Sequence, residues 1–130
     1  MVKMKPGFYY FAHPYSAKTE EGRIANFELC CRRSIKLLLK GYNIFSPITH
    51  SHPIETASSE MLRWPIDSRW QFWIDIDIAI LEYVKFTGII LAPKWGTSKG
   101  CQREYNWFLS HCQPNGKPCD ILKYNDLIGS

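Results

Sequence analysis

The stretch Trp95-Gly96-Thr97-Ser98-Lys99-Gly100-Cys101-Gln102-Arg103-Glu104 follows a short apolar run, Phe86-Thr87-Gly88-Ile89-Ile90-Leu91-Ala92, and opens a pattern with helical spacing. The order is strand, tight loop, helix. Thr97 and Ser98 are N-cap residue types, and Gly100 lets a ligand approach the backbone where unpaired amides and the positive end of the helix dipole meet. That combination suits an anion, most simply a phosphate. Glu104 falls within the first turns of the same helix, on the side shared with Cys101, Trp107, Phe108 and His111. An inward carboxylate beside an anion site is one reading. An acid placed to stabilise the helix dipole is the other, and this stretch alone leaves both open.

Immediately upstream, Asp67 to Val84 is again helical in period, with Trp70, Trp73, Asp77, Ile80, Leu81 and Val84 on one face and Gln71, Asp75, Glu82 and Lys85 toward the other. Asp77 therefore lies inside an apolar, tryptophan-bearing stripe, where desolvation pushes a carboxyl pKa upward, as a general acid or base near neutral pH requires. Asp75 falls on the solvated side.

Nearer the N-terminus, Gly7-Phe8-Tyr9-Tyr10-Phe11-Ala12 reads as a buried strand running into the loop His13-Pro14-Tyr15-Ser16. Tyr10 and His13 then sit toward the C-terminal end of that strand, where open α/β sheets bind ligands, although an aromatic in a strand is equally at home in the core. Thr19 to Lys40 carries Ile24, Phe27, Cys31, Ile35 and Leu38 at helical spacing, with Gly41 as C-cap. Arg32, Arg33, Lys36 and Lys40 read as a solvated basic face, whereas Arg23 at the helix start is placed either for a ligand anion or as surface charge. Tyr42 to Ser46 is a second strand, stopped by Pro47. From Ile48 to about Pro65 the chain reads as a long irregular loop, of the kind that carries function. In it, His50 and His52 suit a pocket wall or substrate contact better than a metal, since no third ligand pairs with them. A fourth strand is expected over Lys117 to Leu122, after a helix that ends near Pro114-Asn115-Gly116.

Strands alternating with helices predict an α/β fold of the flavodoxin-like or Rossmann-like kind: an open parallel sheet of four to five strands with helices on both faces. At 130 residues, with 45% hydrophobic and 22% charged residues, the chain fits one domain over 1–130 with its own core. Five tryptophans exceed what so small a core requires and point to a pocket or a subunit interface. The net charge of +4 is spread along the chain, which fits small phosphorylated ligands and not a nucleic-acid polymer. Five cysteines without paired spacing read as reduced thiols of a cytoplasmic protein. No apolar run is long enough for a signal peptide or a membrane span.

Tyr10, Asp77, Ser98, Gly100 and Glu104 thus fall at or near one edge of the expected sheet. Two carboxylates beside an anion cradle suggest glycosidic chemistry on a phosphorylated sugar. Three blocks resemble the nucleoside 2-deoxyribosyltransferase-like proteins, including the deoxynucleoside 5'-monophosphate N-glycosidases: Tyr10-Phe11-Ala12-His13-Pro14-Tyr15, the segment Phe45-Ser46-Pro47-Ile48 to His50-Ser51-His52-Pro53, and Trp70 to Asp77 followed by Trp95 to Glu104. The resemblance implies Glu104 as nucleophile at C1', Asp77 as proton donor and acceptor at the base, Tyr10 as the hydroxyl that positions Glu104, and Ser98 with Gly100 as holders of a 5'-phosphate. His13, Arg23, His50, Trp73 and Trp95 complete the expected substrate contacts. It further implies a nucleotide or nucleoside as ligand, no cofactor, and a homodimer or larger homo-oligomer. Lys85 departs from the pattern, since many relatives carry a second aspartate there, which bears on base preference. A non-catalytic nucleotide-binding or sensing module that kept the cradle is the alternative function, and a metal-dependent hydrolase using His50 and His52 a weaker one.

Overall fold

The computed structural model describes residues 1–111 and 119–129. Four strands, β1 (Tyr9–Ala12), β2 (Ile44–Phe45), β3 (Gly88–Leu91) and β4 (Asp120–Lys123), form one all-parallel sheet in the order β2-β1-β3-β4. The helices are α1 (Glu20–Leu39), α2 (Pro47–Ala57), α3 (Ile66–Tyr83), α4 (Lys99–His111) and α5 (Tyr124–Ile128). This is the expected open α/β architecture.

The two faces of the sheet follow from alternation along the strands. Tyr9 and Phe11 of β1 and Ile90 of β3 pack with Cys30 and Leu37 of α1 and Tyr124 of α5. Tyr10 and Ala12, with Ile89 and Leu91, turn to the opposite face and pack with Leu81 of α3 and Cys101 and Phe108 of α4. The strand order reverses between β1 and β3, because the connection from β1 leads outward to β2 and that from β3 leads outward to β4. Crossovers of one hand then put α1 and α4 on opposite faces and leave a crevice at the strand C-termini between β1 and β3. Both β1 and β3 are buried throughout, as central parallel strands must be.

The expected loop from Ile48 to Pro65 is instead α2 followed by a 3-10 turn, Met61–Arg63. Ser46 caps α2, its hydroxyl accepting from the Thr49 amide at 3.4 Å, and Pro47 takes a first-turn position that needs no amide donor. Pro47 thus ends the strand segment, as expected, and also starts a helix, with Pro53 accommodated inside it. The reading of five reduced thiols holds for Cys30, Cys31 and Cys101 but not for Cys119, which is disulfide-bonded. Cys112, the end of the preceding helix near Pro114-Asn115-Gly116, and the first residues of the expected fourth strand lie outside the described residues. No helix among the described residues is long and apolar enough to cross a membrane.

Gly88 marks the tightest approach within the sheet. A Cβ there would lie 2.0 Å from the carbonyl oxygen of Asp120 on β4. Gly88→Ala is therefore expected to destabilise the fold by about 1–3 kcal/mol in urea denaturation, as overpacking does. Gly96→Ala, where a Cβ meets nothing within 4 Å, should leave the midpoint unchanged.

Candidate active site

The crevice holds a cavity walled by four segments of chain: the loop after β1 (His13, Tyr15, Ser16), α2 (Pro47, Ile48, Ser51, Glu55), α3 (Ile66, Arg69, Trp70, Trp73, Ile74, Asp77) and the start of α4 (Ser98, Gly100, Cys101, Glu104). Each arrives there for a local reason. Ser98 precedes α4 as its N-cap, its hydroxyl accepting from the Cys101 amide at 3.2 Å and its carbonyl from the Gln102 amide at 3.0 Å. Gly100 lies in the wall in the first turn of α4, where a Cβ would lie 3.9 Å from the Ser98 hydroxyl and from the Trp70 indole nitrogen. A hydroxyl and an indole N–H thus lie beside this glycine at the positive end of the helix dipole, a setting that suits an anion.

Glu104 follows one turn later and is 5% exposed. Behind it stands Tyr10, wholly buried in the centre of the sheet, whose hydroxyl donates a hydrogen bond to Oε2 of Glu104. Tyr10 does not itself line the cavity and reaches it through Glu104. Asp77 enters from α3 at 8% exposure, with Oδ1 buried and without a hydrogen-bond partner among the described residues. Asp75, two residues earlier, is exposed and accepts from Gln71 at 2.7 Å, as the helical pattern requires.

Burial raises the carboxyl pKa of Asp77 to about 7. Burial, with the charge of Asp77 added, raises that of Glu104 to about 8, against the opposing effect of the Tyr10 hydroxyl. The two groups form a coupled acid pair titrating in the neutral range. What distinguishes them is the hydroxyl donor: Tyr10 favours the ionised form of Glu104, and Asp77 has no such stabilisation. The two protons come off in steps that belong to the pair, and the Tyr10 hydroxyl is the one donor among the described residues that stabilises a charge on Glu104. The Cys101 thiol between them is pushed up to about 12, first by burial and then by Glu104, so it packs without acting as a nucleophile.

His13 lines the cavity but is fully committed. Its Nδ1–H donates to the Pro14 carbonyl at 2.8 Å and its Nε2 accepts from Arg33 at 3.0 Å. Burial lowers its pKa to about 4, with Arg33 acting in the same direction, so the ring is neutral. Arg33, read as part of a solvated basic face, is partly buried and is the clamp on this ring.

Three expected contacts lie elsewhere. Arg23 is turned into its own helix, pairing with Glu20 and donating to the Ala17 carbonyl at 3.1 Å. His50 is exposed on α2, and because α2 is a helix the side chain two residues on, His52, faces the interior and stacks on Phe27 at 4.1 Å. The pair therefore does not converge as it would on an extended strand. Among the described residues there is no group of three or more His, Cys, Asp or Glu that could hold a metal ion. Trp95 packs on Tyr105 at 4.8 Å away from the cavity wall. Lys85 is exposed past the end of α3, also outside the wall.

The sequence reading missed the outer half of the wall. Glu55, 3% exposed, accepts from the Trp73 indole at 3.2 Å and the Tyr15 hydroxyl at 3.4 Å, and lies 3.8 Å from Arg69. Arg69 is four residues before Trp73 and eight before Asp77, and this helical repeat was the available signal.

Fold and site define an open α/β domain with a buried acid pair at the switch point of its sheet. A family model described as Domain of unknown function (DUF1937) matches residues 7–116, and the chain belongs to that family. No curated protein matches the chain.

Because both carboxyls bind their proton more tightly in the folded than in the unfolded chain, they contribute stability that is fully present below the ordinary carboxyl range. It is lost as the pH rises through about 7 and about 8. Thermal melts of the wild type are expected to show a loss on the order of a few kcal/mol between about pH 5 and about pH 9. Asp77→Asn and Glu104→Gln should each flatten that dependence and be more stable than wild type at the alkaline end.

Proposed function

We propose that this cavity cleaves or transfers the N-glycosidic bond of a nucleoside 5'-monophosphate or nucleoside through a glycosyl ester of Glu104. The single observation that carries the reading is the hydrogen bond from buried Tyr10 to Glu104, in a cavity that also holds Asp77. Such a donor orients one carboxylate oxygen and favours its charge, as a nucleophile requires. The resemblance to nucleoside 2-deoxyribosyltransferase-like proteins assigns the same roles to the same residues.

Glu104 attacks C1' as the bond from C1' to the base nitrogen breaks. The electron pair leaves with the base, which takes up the proton carried by Asp77. The Asp77 carboxylate then accepts a proton from water, or from an incoming base, as that acceptor attacks C1' and releases Glu104. These steps use side chains alone and invoke no cofactor. Ser98 and Gly100, at the start of α4 in the same wall as Glu104, are the residues that the resemblance implies as holders of a 5'-phosphate, carried on C5' across the sugar ring from C1'. Lys85 lies outside the wall, so the missing aspartate leaves the cavity's own charge unaltered. The same proposal includes a homodimer or larger assembly, supported by the exposed apolar side chains Ile54, Leu62, Ile66 and Phe72 along α2, the following turn and α3.

The test is release of free base from a panel of nucleosides and their 5'-monophosphates, with and without a second base as acceptor. Wild type should release base and Glu104→Gln should bind without turnover. Because the active form holds one proton in the pair, kcat/KM should be bell-shaped with its maximum between the two ionisations. Tyr10→Phe should shift the ascending limb to higher pH and lower the rate at neutral pH by about ten- to a hundredfold. Absence of release from every substrate, with binding retained, would replace the enzyme by a nucleotide-binding module.

A further inference from the structure

Arg69 and Glu55 are the charged residues of the cavity wall to which the proposed reaction gives no task, and Arg69 is the one left without hydrogen bonds. It is 9% exposed, yet its guanidinium, with five N–H donors, makes no hydrogen bond among the described residues, and Nε is buried without a partner. Its single ion pair, with Glu55, is at 3.8 Å, beyond hydrogen-bonding range. Glu55 is meanwhile satisfied by other donors, Trp73 and Tyr15. A buried guanidinium left this way is held near a counter-ion but still lacks acceptors, and the groups that match its planar fork are oxyanions.

The charge balance of the cavity points the same way. Its lining carries three acids, Glu55, Asp77 and Glu104, and His13 is held neutral between Pro14 and Arg33. Arg69 is therefore the only fixed positive charge among the described lining residues. The helix dipole and amides at Gly100 supply about half an elementary charge, less than a phosphate monoester carries at neutral pH. A dianion entering this wall has no other cation to meet. Neither Asp77 nor Glu104 owes its shift to Arg69, so the guanidinium does not serve as their counter-ion.

We propose that Arg69 supplies the positive charge of the cavity's anion site, taking the phosphate of a nucleoside monophosphate in place of Glu55, alongside Ser98 and Gly100, and thereby selecting nucleotides over free nucleosides. This rests on the reading of the cavity as a nucleotide site but is separable from the chemistry assigned to it. Glu55 acts as the placeholder that keeps the guanidinium poised while the cavity is empty.

The experiment is calorimetric titration of the full chain, in the Glu104→Gln background so that nothing turns over, with a nucleoside 5'-monophosphate, the matching nucleoside and inorganic phosphate. The monophosphate should bind more tightly than the nucleoside by about ten- to a hundredfold, the range of a hydrogen-bonded charge. Arg69→Gln should cut that ratio by about tenfold while leaving nucleoside affinity within about twofold. Glu55→Gln, which frees the guanidinium, should raise the ratio and tighten inorganic phosphate. If Arg69→Gln does not fold, Glu55→Gln and Arg69→Lys carry the test, and an unchanged ratio in both overturns the proposal. An unchanged ratio in folded Arg69→Gln also overturns it, as does equal weakening of nucleoside and monophosphate, which would make Arg69 a reader of the base. Failure to bind any of the three probes overturns it as well. Base release with discrimination independent of Arg69 leaves the glycosidic reading standing and removes this one. Discrimination dependent on Arg69 with no base release does the reverse.

Discussion

The hydrogen bond between Tyr10 and Glu104 is the contact on which the arrangement of the cavity depends. It joins the middle of the central strand β1 to α4, two elements separated by most of the chain, and it does so in the interior. A glutamate at that depth without a donor would be an unpaired buried polar group, costing about 1–3 kcal/mol or more if charged. With the phenol behind it, the carboxyl group has one oxygen fixed while the residue lines the crevice. Tyr10 is locked in turn by the rings of Phe45, Phe86 and Phe108 around it. The Glu104 carboxyl group is thus positioned by the packing of the sheet, and the residues that touch solvent have little part in it.

Asp77 completes this inner half from the opposite side of the crevice, on a helix that the sheet does not align directly. Its depth comes from α3 lying against β1 and β3 through Leu81. The outer half of the cavity has a different construction. Tyr15, Glu55, Arg69 and Trp73 come from a loop and two helices and are held by one another, with Glu55 as the common acceptor. One half is set by apolar packing and a single buried hydrogen bond, and the other by a polar network.

This difference explains what the sequence made legible. Strands and helices with apolar periodicity could be read directly, and so could every site residue whose placement follows from such an element: Tyr10 in its strand, Asp77 in its stripe, Ser98 and Gly100 at the start of α4. The helix α2 was hidden because the stretch after Pro47 shows no clear apolar period, although Ser46-Pro47 is the cap and first-turn pair that starts a helix. Arg23, His50 and Trp95 were assigned from proximity along the chain, and each is claimed by a local partner or by solvent instead. Arg69 shares the helical repeat of Trp73 and Asp77, but its partner Glu55 could not be weighed from pattern alone. A polar residue in a helix shows its role only when the segment packed against it is known, and the segment holding Glu55 had been read as loop.

The placement of Arg69 and Asp77 on one helix makes α3 a ruler. Eight residues separate them, about 12 Å along the axis and little more than two turns, so they fall near one face at a spacing the backbone does not let vary. Removing a single residue between them would rotate one against the other by about 100° and shorten the interval by about 1.5 Å. Substitutions can change what either end of the ruler grips. The distance between the grips changes only by insertion or deletion, so ligand length is the property this chain is least free to alter by point mutation.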